Sequence, residues 1–170
     1  MISIGILPLE KTQKARLFEP TATNETQAQI SPDGKWIAYS ASPSGQYDVY
    51  VQSFPIPGKK YRVSREGAIQ SRWRGDGKEL FYYASDGQLM SVPVTGNLAL
   101  PFGAPAPLFR PRLLNGPVPT VYFQPQYDVT ADGQRFLLNV PAGQDDNRSP
   151  ITDNPPPITI VLNWDAILKK

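Results

Sequence analysis

Residues 30–39 read ISPDGKWIAY, and this stretch recurs twice further along the chain. The second copy, residues 73–82, reads WRGDGKELFY, and the third, residues 129–138, reads VTADGQRFLL. Each copy is a short polar segment, an Asp-Gly pair and then a run of bulky apolar residues. Recurrence of one supersecondary unit indicates a stacked repeat architecture. The pattern predicts small antiparallel sheets stacked face to face, which is a β-propeller or part of one.

Alignment of the three copies at the Asp explains why these segments are strands. Three successive positions after the turn are apolar in every copy, and so is the position three residues before the Asp. Consecutive side chains on a strand point to opposite faces, so such a run predicts a strand covered on both sides. The Asp-Gly pair supplies the positive φ of a tight turn. The apolar positions are Ile30, Ile37, Ala38 and Tyr39, then Trp73, Leu80, Phe81 and Tyr82, then Val129, Phe136, Leu137 and Leu138.

The spacing of the copies indicates four-stranded blades. Asp33 and Asp76 are 43 residues apart, and Asp132 follows after a further 56. The first spacing matches the roughly 40–45 residues of a propeller blade. The excess in the second lies in a Pro-rich stretch, residues 101–119, which we interpret as a long loop between blades. Further hairpins at Ser44-Gly45 and Asp86-Gly87, and fourth strands at residues 61–63 and 107–109, complete each unit.

The prediction for the whole chain is therefore an all-β, single partial β-propeller over residues 1–170. It comprises two full four-stranded antiparallel blades, at residues 27–64 and 70–110, and partial blades at residues 1–19 and 126–164. The partial blades place strands at residues 7–9, 15–18 and 158–162, and a helix at most at 165–170. Such a chain is a fragment of a larger propeller, a minimal ring closed by its own partial blades, or one arc of a homodimer that pairs through exposed blade edges.

Composition restricts the chemistry that the chain can perform. It contains no His and no Cys, which excludes a Ser-His-Asp triad, a Cys nucleophile and an ordinary zinc site. Asp48 and Asp128 are the acids predicted in strands, and two scattered acids are weak evidence for a carboxylate pair. The sequence therefore predicts no catalytic residue, no cofactor and no metal. Four further acids each precede a Gly and are interpreted as turn residues rather than metal ligands: Asp33, Asp76, Asp86 and Asp132.

Residues 59–78 form the most basic stretch of the chain. Seven Lys and Arg residues stand there against two acids, whereas the whole chain carries a formal net charge of +2. Such a stretch suits nucleic acid or an acidic partner. Charges on strand edges also discourage aggregation. We favour this second interpretation, which argues against nucleic acid, and we assign the aromatic residues to the core between blades.

The first residues contain no visible targeting or membrane segment. Residues 2–7 are apolar, but no basic residue precedes them. The run is also far shorter than the roughly 18 apolar residues that a membrane helix needs. The sequence predicts neither an export signal nor an anchor, so any role outside the cytoplasm would need residues beyond this chain.

Residues 30–40, 47–55, 71–82 and 158–170 resemble the TolB-like propeller repeats, also called PD or SPDG repeats. They are similar in particular to the C-terminal propeller of bacterial serine/threonine-kinase sensor proteins. The resemblance implies a propeller for sensing or partner binding, outside the cytoplasm in the kinase case. The chain has no Gly-rich phosphate loop, no His-Arg-Asp and no Asp-Phe-Gly motif, so kinase activity is not implied.

The functional hypothesis is a non-catalytic interaction or sensor module that binds a protein or a small ligand, within a larger signalling protein. One alternative is a propeller accessory to a hydrolase, either a prolyl-oligopeptidase-like peptidase or a glycosidase. The peptidase version requires a Gly-x-Ser-x-Gly motif, which this chain lacks. The other alternative is a basic surface for polyanions.

Overall fold

The computed structural model describes residues 1–9, 14–97, 99–113 and 124–140, and the strand Thr159–Ile160. In these residues the regular structure is entirely β, which confirms the predicted all-β partial propeller. The strands are β1 (Gly5–Ile6), β2 (Arg16–Leu17), β3 (Glu25–Ile30), β4 (Trp36–Ala41), β5 (Asp48–Ser53), β6 (Lys60–Arg62), β7 (Ala68–Trp73), β8 (Glu79–Ala84), β9 (Leu89–Pro93), β10 (Ala106–Phe109), β11 (Tyr127–Val129), β12 (Arg135–Leu138) and β13 (Thr159–Ile160).

The strands form four sheets that follow the order of the chain. The first blade is the antiparallel sheet β3-β4-β5-β6, and the second blade is the antiparallel sheet β7-β8-β9-β10. The N-terminal sheet pairs β1 with β2, and the C-terminal sheet has the order β11-β12-β13. Among the described residues no helix is long and apolar enough to cross a membrane.

The turn after each repeat has the predicted geometry. Gly34, Gly77 and Gly133 have φ of 71°, 71° and 72°, a region that glycine enters without steric cost. In each turn the glycine N–H donates to the backbone carbonyl three residues earlier, at 2.8–2.9 Å. The three copies therefore share the same turn geometry.

Side chains from the second strand of each blade alternate between two apolar layers. Ile37 and Tyr39 pack toward the N-terminal sheet, whereas Ala38 packs toward the second blade. Leu80 likewise faces the first blade, and Phe81 faces the C-terminal sheet. All five are at most 2% exposed, and burial of one large apolar side chain stabilises a fold by about 1.5–3 kcal/mol. The sheets are therefore stacked face to face.

The prediction of a strand covered on both sides is wrong for the third repeat, at one end of this stack. In β12, Phe136 and Leu138 are buried against the second blade, but Leu137 is 39% exposed. At the other end Ile30 is 53% exposed, although its counterpart Trp73 is half-buried. Each position would need a further sheet to cover it, and the described residues do not supply one.

The terminal strands also differ from the sequence-based expectation. β13 pairs with β12 in parallel, with Arg135 opposite Thr159. Successive strands of an antiparallel blade are expected to pair antiparallel instead. A parallel pair needs a connection of a dozen or more residues, and the connection after Leu138 is long enough. At the N-terminus the strand is Gly5–Ile6 rather than residues 7–9, and Leu9 is 98% exposed. The expected helix at 165–170 lies outside the described residues.

Candidate binding faces at the two ends of the sheet stack

The four acids that precede glycine act as turn residues in the structure. The carboxylates of Asp33, Asp76, Asp86 and Asp132 each accept the backbone N–H two residues later, at 3.0–3.1 Å. A hydrogen bond from Arg74 also lowers the pKa of Asp76 to about 2. Hydroxyl hydrogen bonds lower the pKa of Asp33 and of Asp132 below its usual value. These carboxylates are already hydrogen-bonded within their own turns, and the described residues contain no group of three or more acids that could hold a metal.

Asp48 is a structural carboxylate inside the first blade. Its side chain is 3% exposed and lies 2.7 Å from the guanidinium of Arg62 on β6. The hydroxyl of Ser64 donates to it at 2.8 Å, and the N–H of Gly67 donates at 3.3 Å. The Asp48 side chain therefore joins β5 to β6 and to the segment that leads into the second blade.

Asp128 has the opposite environment. It lies on β11 in the C-terminal sheet, its side chain is 68% exposed, and it is 3.5 Å from Arg72. The second blade stands between this sheet and the first blade, which holds Asp48. The two strand acids consequently do not face each other across a pocket.

The basic stretch at residues 59–78 is largely neutralised by neighbouring carboxylates. Lys60 lies 3.6 Å from Glu19, and Arg74 contacts both Asp76 at 2.7 Å and Glu79 at 3.0 Å. Arg62 and Arg72 pair with the strand acids described above. The stretch thus joins strands and turns together rather than presenting a bare positive surface.

Three glutamines six residues before the repeat Asp connect the inner strands of successive sheets. The side-chain Oε1 of Gln27 on β3 accepts the backbone N–H of Gln70 on β7 at 3.0 Å. The Oε1 of Gln70 in turn accepts the backbone N–H of Gln126 at 2.8 Å. The sequence reasoning missed this glutamine chain, although its signal is visible as a Gln at one position of all three copies.

A backbone irregularity accompanies the bond between Gln27 and Gln70. Gln27 and Gln70 have φ of 56° and 60°, which is uncommon outside glycine. At both places the strand pairing shifts register, as in a β-bulge. A bulge leaves its extra residue outside the sheet's own ladder. The N–H of Gln70 is thereby free to point at the preceding blade.

Other polar groups reinforce the same interfaces. The indole N–H of Trp73 donates to the carbonyl of Gln29 at 3.1 Å, and the hydroxyl of Tyr127 donates to the carbonyl of Gln70 at 2.6 Å. In both cases the side chain of one sheet bonds to the inner strand of the sheet before it. Both hydrogen bonds therefore run from a side chain of one sheet to the backbone of the sheet before it.

A polar cluster fixes the N-terminal segment to the first blade. Glu25 is 1% exposed, and the ammonium of Lys60 lies 3.9 Å away. The hydroxyl of Tyr39 donates to Gln52, whose amide donates to Glu19 at 3.2 Å. Burial raises the pKa of Glu25, because the water that the ionised carboxylate loses outweighs the opposing effects of Thr21 and Lys60. Glu25 is buried at the base of this cluster, whereas the side chains of Lys60 and Glu19 are each about one-third exposed, at 34% and 35%.

Within the described residues, apolar side chains of the repeat pattern are exposed at the two ends of the stack. The open face of β3 comprises Ile30 and the backbone of Gln27, whereas Ala28 packs against the apolar cluster of the N-terminal sheet. Residues 26–28 are half-buried, whereas the corresponding residues 69–71 of β7 are buried. The outer face of the C-terminal sheet comprises Asp128 and Leu137, which pair directly across β11 and β12. Both faces carry residues that the same repeat buries elsewhere.

Comparison with known proteins agrees with the architecture. The structure is similar to TolB from Acinetobacter baumannii, with a TM-score of 0.55 and 21% identity over 79% of this chain and 31% of that one. The fold is that of a TolB-like β-propeller. A TolB from Agrobacterium tumefaciens gives a TM-score of 0.50 and 20% identity over 65% of this chain and 39% of that one. No protein-family model matches the chain, and no curated protein matches it significantly.

The similarity covers only part of each TolB structure. The TolB-like chain spans 31–39% of the length of the two TolB structures. An oligogalacturonate lyase from Vibrio parahaemolyticus overlaps at a TM-score of 0.49 and 12% identity, over 79% of this chain and 36% of that one, which is too slight to bear on function. The likeness to kinase-linked sensor propellers stays a prediction.

Proposed function

We propose that this TolB-like segment is a non-catalytic protein-interaction module that binds its partner through the open face of β3 and the outer face of the C-terminal sheet. One observation carries the proposal. Leu137 is 39% exposed, whereas Ala38 and Phe81, which hold the same position in the two full blades, are 0% and 1% exposed. The repeat therefore leaves Leu137 exposed at a position that a neighbouring sheet covers in the two full blades.

The opposite end supports the same role. Ile30 is 53% exposed at the repeat position where Trp73 packs against the preceding blade. An apolar side chain gains about 25 cal/mol for each Å² that a partner removes from water. Exposed apolar surface of this kind is characteristic of protein-binding sites. A flat sheet face with an aliphatic centre suits a protein surface better than a small polar ligand.

The chemistry of the described residues supports a binding role rather than catalysis. Asp48 is held by Arg62 and Ser64, and the turn acids are bonded to their own backbone. The full sequence offers neither His nor Cys as a nucleophile or base. The finer role, as a sensor in a larger signalling protein, rests on the sequence resemblance to kinase-linked propellers.

Site-specific photocrosslinking tests this proposal with a matched control inside the chain. A photoreactive amino acid is placed at position 30, 137 or 108, and the adducts formed in cells are analysed by mass. Leu108 is 40% exposed, as Leu137 is, but lies on β10 at the outside of the second blade. We expect discrete protein adducts from positions 30 and 137 and few from position 108. Equal labelling at all three positions, or none at 30 and 137, would contradict the proposal.

A turnover assay addresses the hydrolase alternative separately. Purified chain is incubated with peptide and oligosaccharide substrates, alongside an Asp128→Ala variant. We expect no turnover above the rate without protein. Activity that disappears in the variant would replace the binding role with a catalytic one.

A further inference from the structure

The N-terminal segment, residues 1–9 and 14–24, docks on the first blade beside the polar cluster of Glu19, Glu25 and Lys60. We propose that this cluster is a pH-sensitive joint: when Glu25 loses its proton, the N-terminal segment loosens from the first blade. Neither Ile30 nor Leu137 takes part in the joint, so this inference goes beyond the proposed function and does not depend on it.

The charged groups of the joint come from both sides of the contact. Glu25 is the first residue of β3 in the first blade and is 1% exposed, whereas Glu19 belongs to the N-terminal segment and its side chain is 35% exposed. Lys60 on β6 lies 3.6 Å from the Oε2 of Glu19 and 3.9 Å from the Oε1 of Glu25. One ammonium cannot neutralise two carboxylates, so ionisation of both acids leaves one negative charge in excess. Glu25 has the least water to stabilise that charge, and a buried charge without full compensation is unfavourable.

The other groups that face Glu25 from neighbouring elements are uncharged. The Thr21 side chain of the N-terminal segment and Tyr39 on β4 both act on it or respond to its charge. The Lys60 ammonium also stands 5.4 Å from the ring centre of Tyr39 and 5.7 Å from that of Tyr50 on β5. Burial raises the pKa of both tyrosines, so both stay neutral below their ordinary value of 10.0.

One further ion pair lies along the same row of the first blade. Asp48 on β5 is opposite Ala41 on β4, which is in turn opposite Glu25. The Asp48 carboxylate lies 2.7 Å from the guanidinium of Arg62. This pair adds no net charge, so the excess negative charge of the joint remains.

Comparison of the repeats shows that the fold does not require an acid at this position. Glu25 stands eight residues before Asp33, and the residue eight before Asp76 is Ala68. Ala68 is 3% exposed and belongs to the apolar layer between the two full blades. The interface between the blades thus has an apolar residue where the N-terminal joint has a titratable one. At this position only the joint can respond to pH.

The N-terminal segment depends on docking for its structure. β1 and β2 have two residues each and, among the described strands, pair only with each other. A two-stranded sheet alone is marginally stable at best in water. Its contacts with the first blade include the apolar cluster around Phe18 and Tyr39, and a hydrogen bond at 2.8 Å from the N–H of Glu25 to the carbonyl of Ile2. A small segment of this kind opens at a lower cost than the full blades do.

The direction of the pH effect follows from the burial of Glu25. Burial raises the pKa of Glu25 in the docked state, whereas undocking returns the carboxyl to water and to its ordinary value of 4.5. The docked state therefore binds the proton more tightly, and undocking becomes easier as pH rises from 4.5. The equilibrium constant for undocking increases by up to about tenfold for each pH unit and levels off above the raised pKa.

Thiol accessibility measures undocking directly, because the chain has no cysteine of its own. Ala41→Cys places the probe in the apolar cluster between the first blade and the N-terminal segment, where Ala41 is 3% exposed. Ala38→Cys is the matched control on the same strand, where Ala38 is 0% exposed and faces the second blade. Both variants are labelled with a pyridyl disulfide between about pH 4 and pH 8. Each rate is divided by that of a cysteine peptide at the same pH to correct for thiol ionisation.

We expect the corrected rate at position 41 to rise by up to about tenfold for each pH unit and then to level off. The rate at position 38 should stay constant. Glu25→Gln in the Ala41→Cys chain should remove the rise, because the amide does not titrate. Glu25 is directly opposite Ala41, and a neighbouring carboxylate disfavours the thiolate, so a local effect on the thiol would lower the rate instead.

A rate at position 41 that does not rise with pH would overturn the inference. An equal rise at position 38 would also overturn it, since the whole blade then opens rather than the joint, and so would a rise that persists in Glu25→Gln. If Ala41→Cys does not fold, amide exchange of residues 1–9 gives a second test in the chain without cysteine. We expect the ratio of wild-type to Glu25→Gln exchange rates to rise with pH, and a constant ratio would overturn the inference.

Discussion

The side-chain oxygen of Gln27 accepts the backbone N–H of Gln70 across the interface between the two full blades, at 3.0 Å. The two residues are 43 positions apart, which is also the distance between Asp33 and Asp76. The bond thus joins equivalent positions of successive repeats. Apolar faces alone tolerate sliding, whereas a directional bond from a bulged residue specifies one offset between neighbouring sheets.

Gln70→Met should destabilise the chain while keeping the shape of the side chain. The change removes the acceptor of the Gln126 N–H and leaves that buried group without its partner. We expect a loss of about 1–3 kcal/mol in the free energy of unfolding. Urea denaturation followed by tryptophan fluorescence measures it. The control Gln134→Met, on an exposed turn, should change stability by less than about 0.5 kcal/mol. Equal effects of the two variants would show that the glutamine chain adds nothing.

The two strand acids should respond differently to truncation. Asp48→Ala leaves Ser64 and Gly67 without their acceptor and Arg62 without its partner, and we expect a loss of about 1–3 kcal/mol. Arg62 is half exposed, so water limits the cost. Asp128→Ala breaks one exposed ion pair and should cost no more than about 1 kcal/mol. Thermal unfolding of both variants in one buffer gives the comparison, and a larger loss for Asp128→Ala would contradict the assigned roles.

Neighbouring leucines on β12 provide a test of which way the C-terminal sheet faces. Leu138 is 7% exposed against the second blade, and Leu137 is 39% exposed on the other side. Leu138→Ala should cost about 2–5 kcal/mol, whereas Leu137→Ala should cost less than about 0.5 kcal/mol in the purified chain. Denaturation at low protein concentration measures both. A large cost at Leu137 under these conditions would mean that its own chain covers it.

The repeat pattern predicted the fold because the residues of each copy specify their own local structure. Asp33 and Gly34 specify the turn, and the run from Ile37 to Tyr39 specifies a strand with two apolar faces, so no long-range information was needed. The exposures of Ile30 and Leu137 were not predictable in this way. They depend on whether a neighbouring sheet is present, which the local sequence does not state.

The glutamine chain was harder to recognise for a further reason. Gln27 and Gln70 look like ordinary polar strand residues, and neither is a residue type that favours positive φ. The bulges coincide with hydrogen bonds between neighbouring sheets, which are tertiary contacts. The repetition of Gln at one position of each copy was the available signal. Asp48 and Asp128 were the candidates instead because a pair of carboxylates can act in catalysis.

Glu25→Gln should alter the dependence of stability on pH. Burial raises the pKa of Glu25, so the folded chain binds more protons than the unfolded chain above the ordinary glutamic acid pKa of 4.5. The contribution of Glu25 to stability therefore falls as pH rises from that value through the raised pKa. The glutamine variant carries no charge and lacks this loss. Unfolding free energies measured between pH 4 and pH 8 should show the variant gaining on the wild type with rising pH and then running parallel to it (range chosen to bracket the pKa of glutamic acid). A variant that loses ground as pH rises would show that Lys60, 3.9 Å away, outweighs the desolvation of the carboxylate.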